Sequence, residues 1–189
     1  MAGTIFSSVD YELVIKKSRF IACIQPVADR ASAQAVVQQL WAQHPDATHI
    51  CWALLAGGQS AAVDDGEPSG TAGRPMLEVL RHHDLEGVLA TVVRYFGGVK
   101  LGAGGLVRAY TDAVAQALQR AEKVPLRRLC TQQCAVPYAM EGWMRRQLEQ
   151  SAAVLLAVEH QTQVKMQWQI AEDAMQSLAA RINEAGQGR

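Results

Sequence analysis

The sequence carries no surplus of either charge. Lys plus Arg number 18 and Asp plus Glu number 18, a formal net charge of zero over 189 residues. Bulk attraction to nucleic acid or to an anionic membrane is therefore excluded as a driving force, and any such partner must be met by a local patch. No run approaches the roughly 20 apolar residues of a membrane-spanning helix. Met1 to Asp10 lacks the basic-then-apolar pattern of a secretory signal. Those absences predict a cytoplasmic protein with no membrane partner. Cysteine is sparse, and in that compartment Cys23, Cys51, Cys130 and Cys134 are expected as reduced thiols.

What is present is ordinary for a globular chain: 49% of residues are hydrophobic and 19% charged. A chain of this size buries roughly 70% of its unfolded surface, so it needs neither disulfide nor metal to fold. Tyr11 to Lys16 and Arg19 to Pro26 predict an antiparallel strand pair turning at Lys17-Ser18. Asp29 can cap a helix that Pro45 ends near His44, with Ala33, Val36, Val37, Leu40 and Trp41 at helical spacing. His49 to Ala56 reads as a buried strand, and Gly57-Gly58 turns into a short strand over Ala61 to Val63. After a polar loop, Pro75 opens a short helix with Met76, Leu77 and Leu80 inward. Val88 to Phe96 predicts an apolar strand, Gly97 to Gly105 a glycine loop, and Leu106 to Ala121 an amphipathic helix.

Val124-Pro125 breaks that helix and precedes a fresh pattern, which predicts two domains, 1–124 and 125–189. The second reads as strand (Leu126 to Val136), helix (Tyr138 to Gln150), two strands (Ala152 to His160, Gln163 to Ile170) and helix (Glu172 to Glu184). That order is a ferredoxin-like half-sandwich without its last strand. Val164, Met166, Trp168 and Ile170 alternate with polar neighbours, giving one buried and one polar face. Gly186 to Arg189 is expected to be a frayed tail. The fold class is α+β.

Two loops carry the candidate chemistry. Asp64, Asp65 and Glu67 crowd three carboxylates into four positions, an arrangement comfortable only when solvated, bound to a hard cation such as magnesium, or facing a basic partner. Ser69 and Thr71 add hydroxyls in the same loop. In the second, Gly97, Gly98, Gly102, Gly104 and Gly105 lie between a strand and a helix, where backbone takes positive φ or passes close to something. A helix N-terminus there favours an anion. Arg94, Lys100 and Arg108 add positive charge, and Tyr95 and Phe96 could stack a base if exposed. Phosphate is the natural guest; tight strand–helix packing explains the glycines equally well.

The named phosphate motifs fail. Ala103 follows Gly102 where a P-loop needs lysine, and Val107 stands where a dinucleotide fingerprint needs glycine. No glycine-flanked serine elbow or local nucleophile signature occurs. Cys130 and Cys134 are about 13 Å apart on a strand, too far for a disulfide. His82-His83-Asp84 closes a short helix, where cationic imidazole complements the dipole. Met140, Trp143, Met144 and Leu148 recur at helical spacing as core.

The two loops together resemble a known family. Asp64-Asp65-Gly66-Glu67-Pro68-Ser69-Gly70-Thr71-Ala72-Gly73-Arg74-Pro75, then Val92 to Gly102 and Gly104 to Tyr110, are similar to the IMPACT/YigZ family almost without departure. Lys16 to Ala22 fits the same pattern. The resemblance implies a first domain like domain IV of elongation factor G, with a left-handed βαβ crossover, and a second like domain V. Eukaryotic members are translation regulators that compete for the ribosome-associated activator of a stress kinase. No extra N-terminal domain of that kind is expected here, and the chain resembles the bacterial YigZ branch, to which that mechanism does not carry over. The implied role is translation-associated binding of RNA, the ribosome or a translation factor. No catalytic residue and no cofactor is implied, and magnesium is the one candidate ion. The rival reading is a magnesium-dependent, phosphate-binding enzyme acting on a small molecule. The sequence is silent on oligomeric state.

Overall fold

The computed structural model describes residues 3–186, so positions 187–189 of the tail expected over Gly186 to Arg189 lie outside the described residues. The chain is α+β and forms two compact units, Met1–Leu126 and Arg127–Arg189.

The first unit runs β1 (Gly3–Ile5), β2 (Val9–Ile15), β3 (Ser18–Pro26), α1 (Arg30–Gln43), β4 (His49–Ala56), β5 (Gln59–Val63), α2 (Gly73–His82), β6 (Val88–Tyr95), α3 (Gly102–Gln119) and β7 (Lys123–Pro125). Its main sheet has the order β2-β3-β6-β4-β5, with every neighbouring pair antiparallel. β3 and β4 therefore run in the same direction on either side of β6, and α1 makes the crossover between them. Asp29 caps α1 by accepting the Ser32 N–H at 2.8 Å, as its residue type and position predict.

β6 is central and covered on both faces, which is why Val88 to Val93 are all buried. On one face Phe20, Ala22, Cys51, Ala53, Val92, Leu106, Tyr110 and Val114 pack between the sheet, α2 and α3. On the other, Trp52, Leu54 and Leu89 lie under Ala33 of α1. A strand sheltered in this way reads as a continuous apolar run instead of an alternation.

Three expectations are corrected here. The glycine loop ends at Leu101, because α3 begins at Gly102 and takes Gly104 and Gly105 into its first turn. The β2–β3 turn is Lys16-Lys17, both at positive φ (45° and 66°), with Ile15 opposite Ser18. His83 is no cationic cap: its Nδ1 accepts from the Lys123 ammonium at 3.0 Å. Burial, then the charges of Lys123 and His82, push the His83 imidazole below its ordinary pKa. Val124 and Pro125 form β7, which pairs with β1 and so joins the first unit.

The second unit comprises β8 (Leu129–Val136), a short 3-10 turn (Tyr138–Met140), α4 (Glu141–Gln150), β9 (Val154–His160), β10 (Val164–Ala171) and α5 (Glu172–Ala185). Its sheet order is β8-β10-β9, antiparallel throughout. Val164, Met166, Trp168 and Ile170 are buried with Met144, Leu148 and Leu178, whereas Lys165 and Gln167 face outward. Cys130 and Cys134 lie partly buried against that core.

Candidate functional site

The acidic loop between β5 and α2 is spent on the fold. Asp64 accepts the N–H groups of Gly70 (2.8 Å), Gly73 (2.8 Å) and Ala72 (3.1 Å), tying the loop into the start of α2. Burial alone would raise the Asp64 carboxyl, but those three donors outweigh it and hold its pKa below the ordinary value. The Asp65 carboxylate accepts the Ile50 N–H at 2.8 Å, anchoring the loop to β4. Thr71 Oγ1 donates to the Pro68 carbonyl at 2.6 Å, and Ser69 is exposed.

Glu67 turns inward. Its Oε1 takes Arg94 Nη1 at 2.5 Å and the Tyr110 hydroxyl at 2.7 Å, with both charged side chains almost wholly buried. Arg94 also reaches Ser18 Oγ at 3.4 Å, and its guanidinium lies between the rings of Phe20 and Phe96, 5.3 and 5.7 Å from their centroids. Arg94 Nε has no acceptor. The expectation that Arg94 meets an external phosphate is thus corrected: its charge is matched inside the protein.

Magnesium fits this loop poorly. Asp64 already accepts three N–H groups, Asp65 is turned to Ile50, and Glu67 is neutralised by Arg94. Among the described residues, no group of three His, Cys, Asp or Glu side chains is placed to hold a metal.

The glycine loop is shaped by both packing and conformation. A Cβ on Gly97 would collide with the main chain of Lys17 and Ser18, and the Gly97 N–H donates to Ser18 Oγ at 3.1 Å. Gly98 and Gly102 take φ of +86° and +74°, and Gly105 fits tightly against Leu101. Gly104 differs. Its φ is ordinary, and an added Cβ would meet only the flexible tip of Arg108, at 3.7 Å. Neither packing nor backbone geometry demands glycine there.

The two loops meet in a groove of about 450 Å³, lined by Thr48, His49, Gly66, Glu67, Pro68, Arg94, Phe96, Lys100, Leu101, Gly102, Ala103 and Leu106. The 18-residue helix α3 opens onto it with no side-chain cap at Leu101. Its first N–H groups lack intrahelical acceptors and carry the positive end of the helix dipole. Lys100 is exposed beside them. Glu67 on the groove wall is matched by Arg94, which leaves Lys100 and the start of α3 as the other positive features of its lining.

Not every candidate residue reaches this groove. Tyr95 projects to the opposite face of β6, where its hydroxyl bonds His44 Nδ1 at 2.7 Å and Arg19 lies over its ring. Strand alternation requires this, because successive side chains point to opposite faces. Arg108 is exposed one turn into α3, next to Gly104. Sequence reasoning missed His49, whose Nδ1 bonds the Asp65 carbonyl at 2.7 Å and whose Nε2 lies 3.8 Å from Glu67 Oε2. It also missed the part played by Tyr110 of the amphipathic helix, whose hydroxyl donates to Glu67. A lone histidine opening an apolar strand gives no local signal.

Residues 16–118 match the family model described as the Impact N-terminal domain, and residues 134–189 one described as a domain of unknown function (DUF1949). The chain is 36% identical to the IMPACT family member YvyE of Bacillus subtilis (strain 168), over 98% of this chain and 87% of that protein. It is 48% identical to the IMPACT family member YigZ of Escherichia coli (strain K12), over 56% of this chain and 54% of that one. A solved crystal structure of a hypothetical protein superposes with a TM-score of 0.77 at 32% identity, covering 100% of this chain and 95% of the other.

Proposed function

The chain belongs to the IMPACT family, and from that premise we propose that it is a translation-associated binding protein whose first unit grips the phosphates of RNA. The observation that carries this reading is the convergence of Lys100 and the uncapped start of α3 on one open groove. Backbone N–H groups at a helix start, with an exposed lysine alongside, recognise phosphate without need of a metal. Glu67 does not repel such a guest, because Arg94 holds its charge internally. The resemblance of both loops to a family whose eukaryotic members regulate translation supplies the setting, and RNA on or near the ribosome is the partner that combines the two.

The test is a titration of labelled RNA into the protein at several salt concentrations, with co-sedimentation of ribosomes at low and high salt. Affinity falls steeply as salt rises, since phosphate contacts release counterions. Lys100→Glu weakens binding about tenfold or more, with the fold intact because the side chain is exposed. Salt-insensitive binding, or a Lys100→Glu variant that binds RNA as well as the parent, overturns the proposal.

A further inference from the structure

Phe96 is 47% exposed at the end of β6 and lines the groove beside Lys100. It is nonetheless held firmly. Its N–H donates to Thr48 Oγ1 at 2.9 Å, the following Gly97 is pressed against the Lys17 main chain, and the buried Arg94 guanidinium lies 5.7 Å from its ring centroid. A large aromatic kept in water and fixed on one side by a cation is a ready platform for another flat ring, at little cost in lost side-chain freedom.

We infer that the groove takes an unpaired nucleotide, with its base stacked on Phe96 and its phosphate held by Lys100 and the first N–H groups of α3. The inference rests on the phosphate-groove reading above and adds to it the class of nucleic acid: single-stranded, not duplex. Paired bases are stacked on one another and cannot offer a face to Phe96, whereas unpaired ones can, with little regard for sequence.

Anisotropy titrations with a ten-nucleotide single-stranded RNA, a fully paired RNA hairpin stem, AMP and inorganic polyphosphate test it. The parent protein prefers the single strand to the stem. Phe96→Ala weakens single-strand binding about 5- to 150-fold, the range expected for loss of one stacked base, and leaves polyphosphate binding unchanged. Phe96→Trp retains single-strand affinity, and its added fluorescence is quenched on binding. AMP competing at the same site identifies a free nucleotide as sufficient; failure of AMP alongside strong single-strand binding identifies the strand as the ligand, and either supports stacking. Equal binding of stem and single strand, or a Phe96→Ala variant indistinguishable from the parent on single strands, overturns the inference while the phosphate groove stands. If the parent binds neither RNA nor polyphosphate, the phosphate-groove reading itself fails.

Discussion

Arg94 and Glu67, 27 positions apart in the chain, meet in a buried ion pair that joins β6 to the acidic loop. Tyr110 of α3 donates to the same carboxylate oxygen, so one oxygen ties a strand, a loop and a helix together. The Cys51 thiol lies 3.4 Å from the Tyr110 hydroxyl, extending the polar chain into β4. The floor of the groove is thus a polar network sealed inside an apolar core.

Breaking one partner of a buried pair is costly because the other charge remains. Glu67→Gln is expected to destabilise the first unit by about 3–5 kcal/mol in urea unfolding. Replacing both groups, as in Glu67→Gln with Arg94→Met, is expected to cost less than the sum of the single changes. Strict additivity in that cycle would refute the coupling.

Asp64 makes the loop acid-sensitive in a defined direction. Its folded-state pKa is depressed, so its contribution is fully present above the unfolded carboxylate value and is lost as pH falls through the folded one. Stability measured by thermal melts should decline below about pH 4, and less steeply in Asp64→Asn. That variant should also lose about 1–3 kcal/mol near neutrality, since an amide cannot accept three N–H groups with the strength of a carboxylate. A melting temperature flat from pH 5 to 2.5 would contradict the assignment.

Gly104 sits in a helix with ordinary φ and open space around it. Gly104→Ala should therefore stabilise the fold by about 0.5–1 kcal/mol, the usual helical gain of alanine over glycine. If phosphate approaches the helix start closely, the same variant binds RNA more weakly. A destabilised Gly104→Ala would show that the local geometry is tighter than described.

The thiols of Cys51, which is buried, and Cys23, which is partly buried, should be inert. Burial pushes Cys51 up to about 12, and burial with the neighbouring Asp10 does the same for Cys23. Because the thiolate is the reactive species, iodoacetamide at pH 8 should leave both unmodified in the native protein and label both in urea. Rapid native labelling of either, followed by mass spectrometry, is the contrary outcome.

Periodic features were legible in the sequence, and non-local ones were not. The Asp29 cap, the sheltered run Val88 to Val93 and the alternation of Val164 to Ile170 all follow from local residue order. The Lys16-Lys17 turn carries none of the Gly or Asn that usually marks positive φ, so its position slipped by one residue. Glycine content hid the start of α3 at Gly102, where burial of Leu106, Ala109 and Tyr110 outweighs weak propensity. Both loops were visible as unusual. That Glu67 would turn inward to Arg94, and that Tyr95 and Phe96 would part to opposite faces, depended on contacts between distant segments.

The β1–β7 ribbon sets Gly3 opposite Pro125, so the first unit's entrance and exit lie about one strand spacing apart, ~5 Å. A module whose ends meet can be spliced into a surface loop of a host protein without stretching either. The same closeness permits new termini elsewhere, for example at Gly57-Gly58, after joining the old ones by a short linker. The groove, whose lining residues all belong to the first unit, would then travel with the graft.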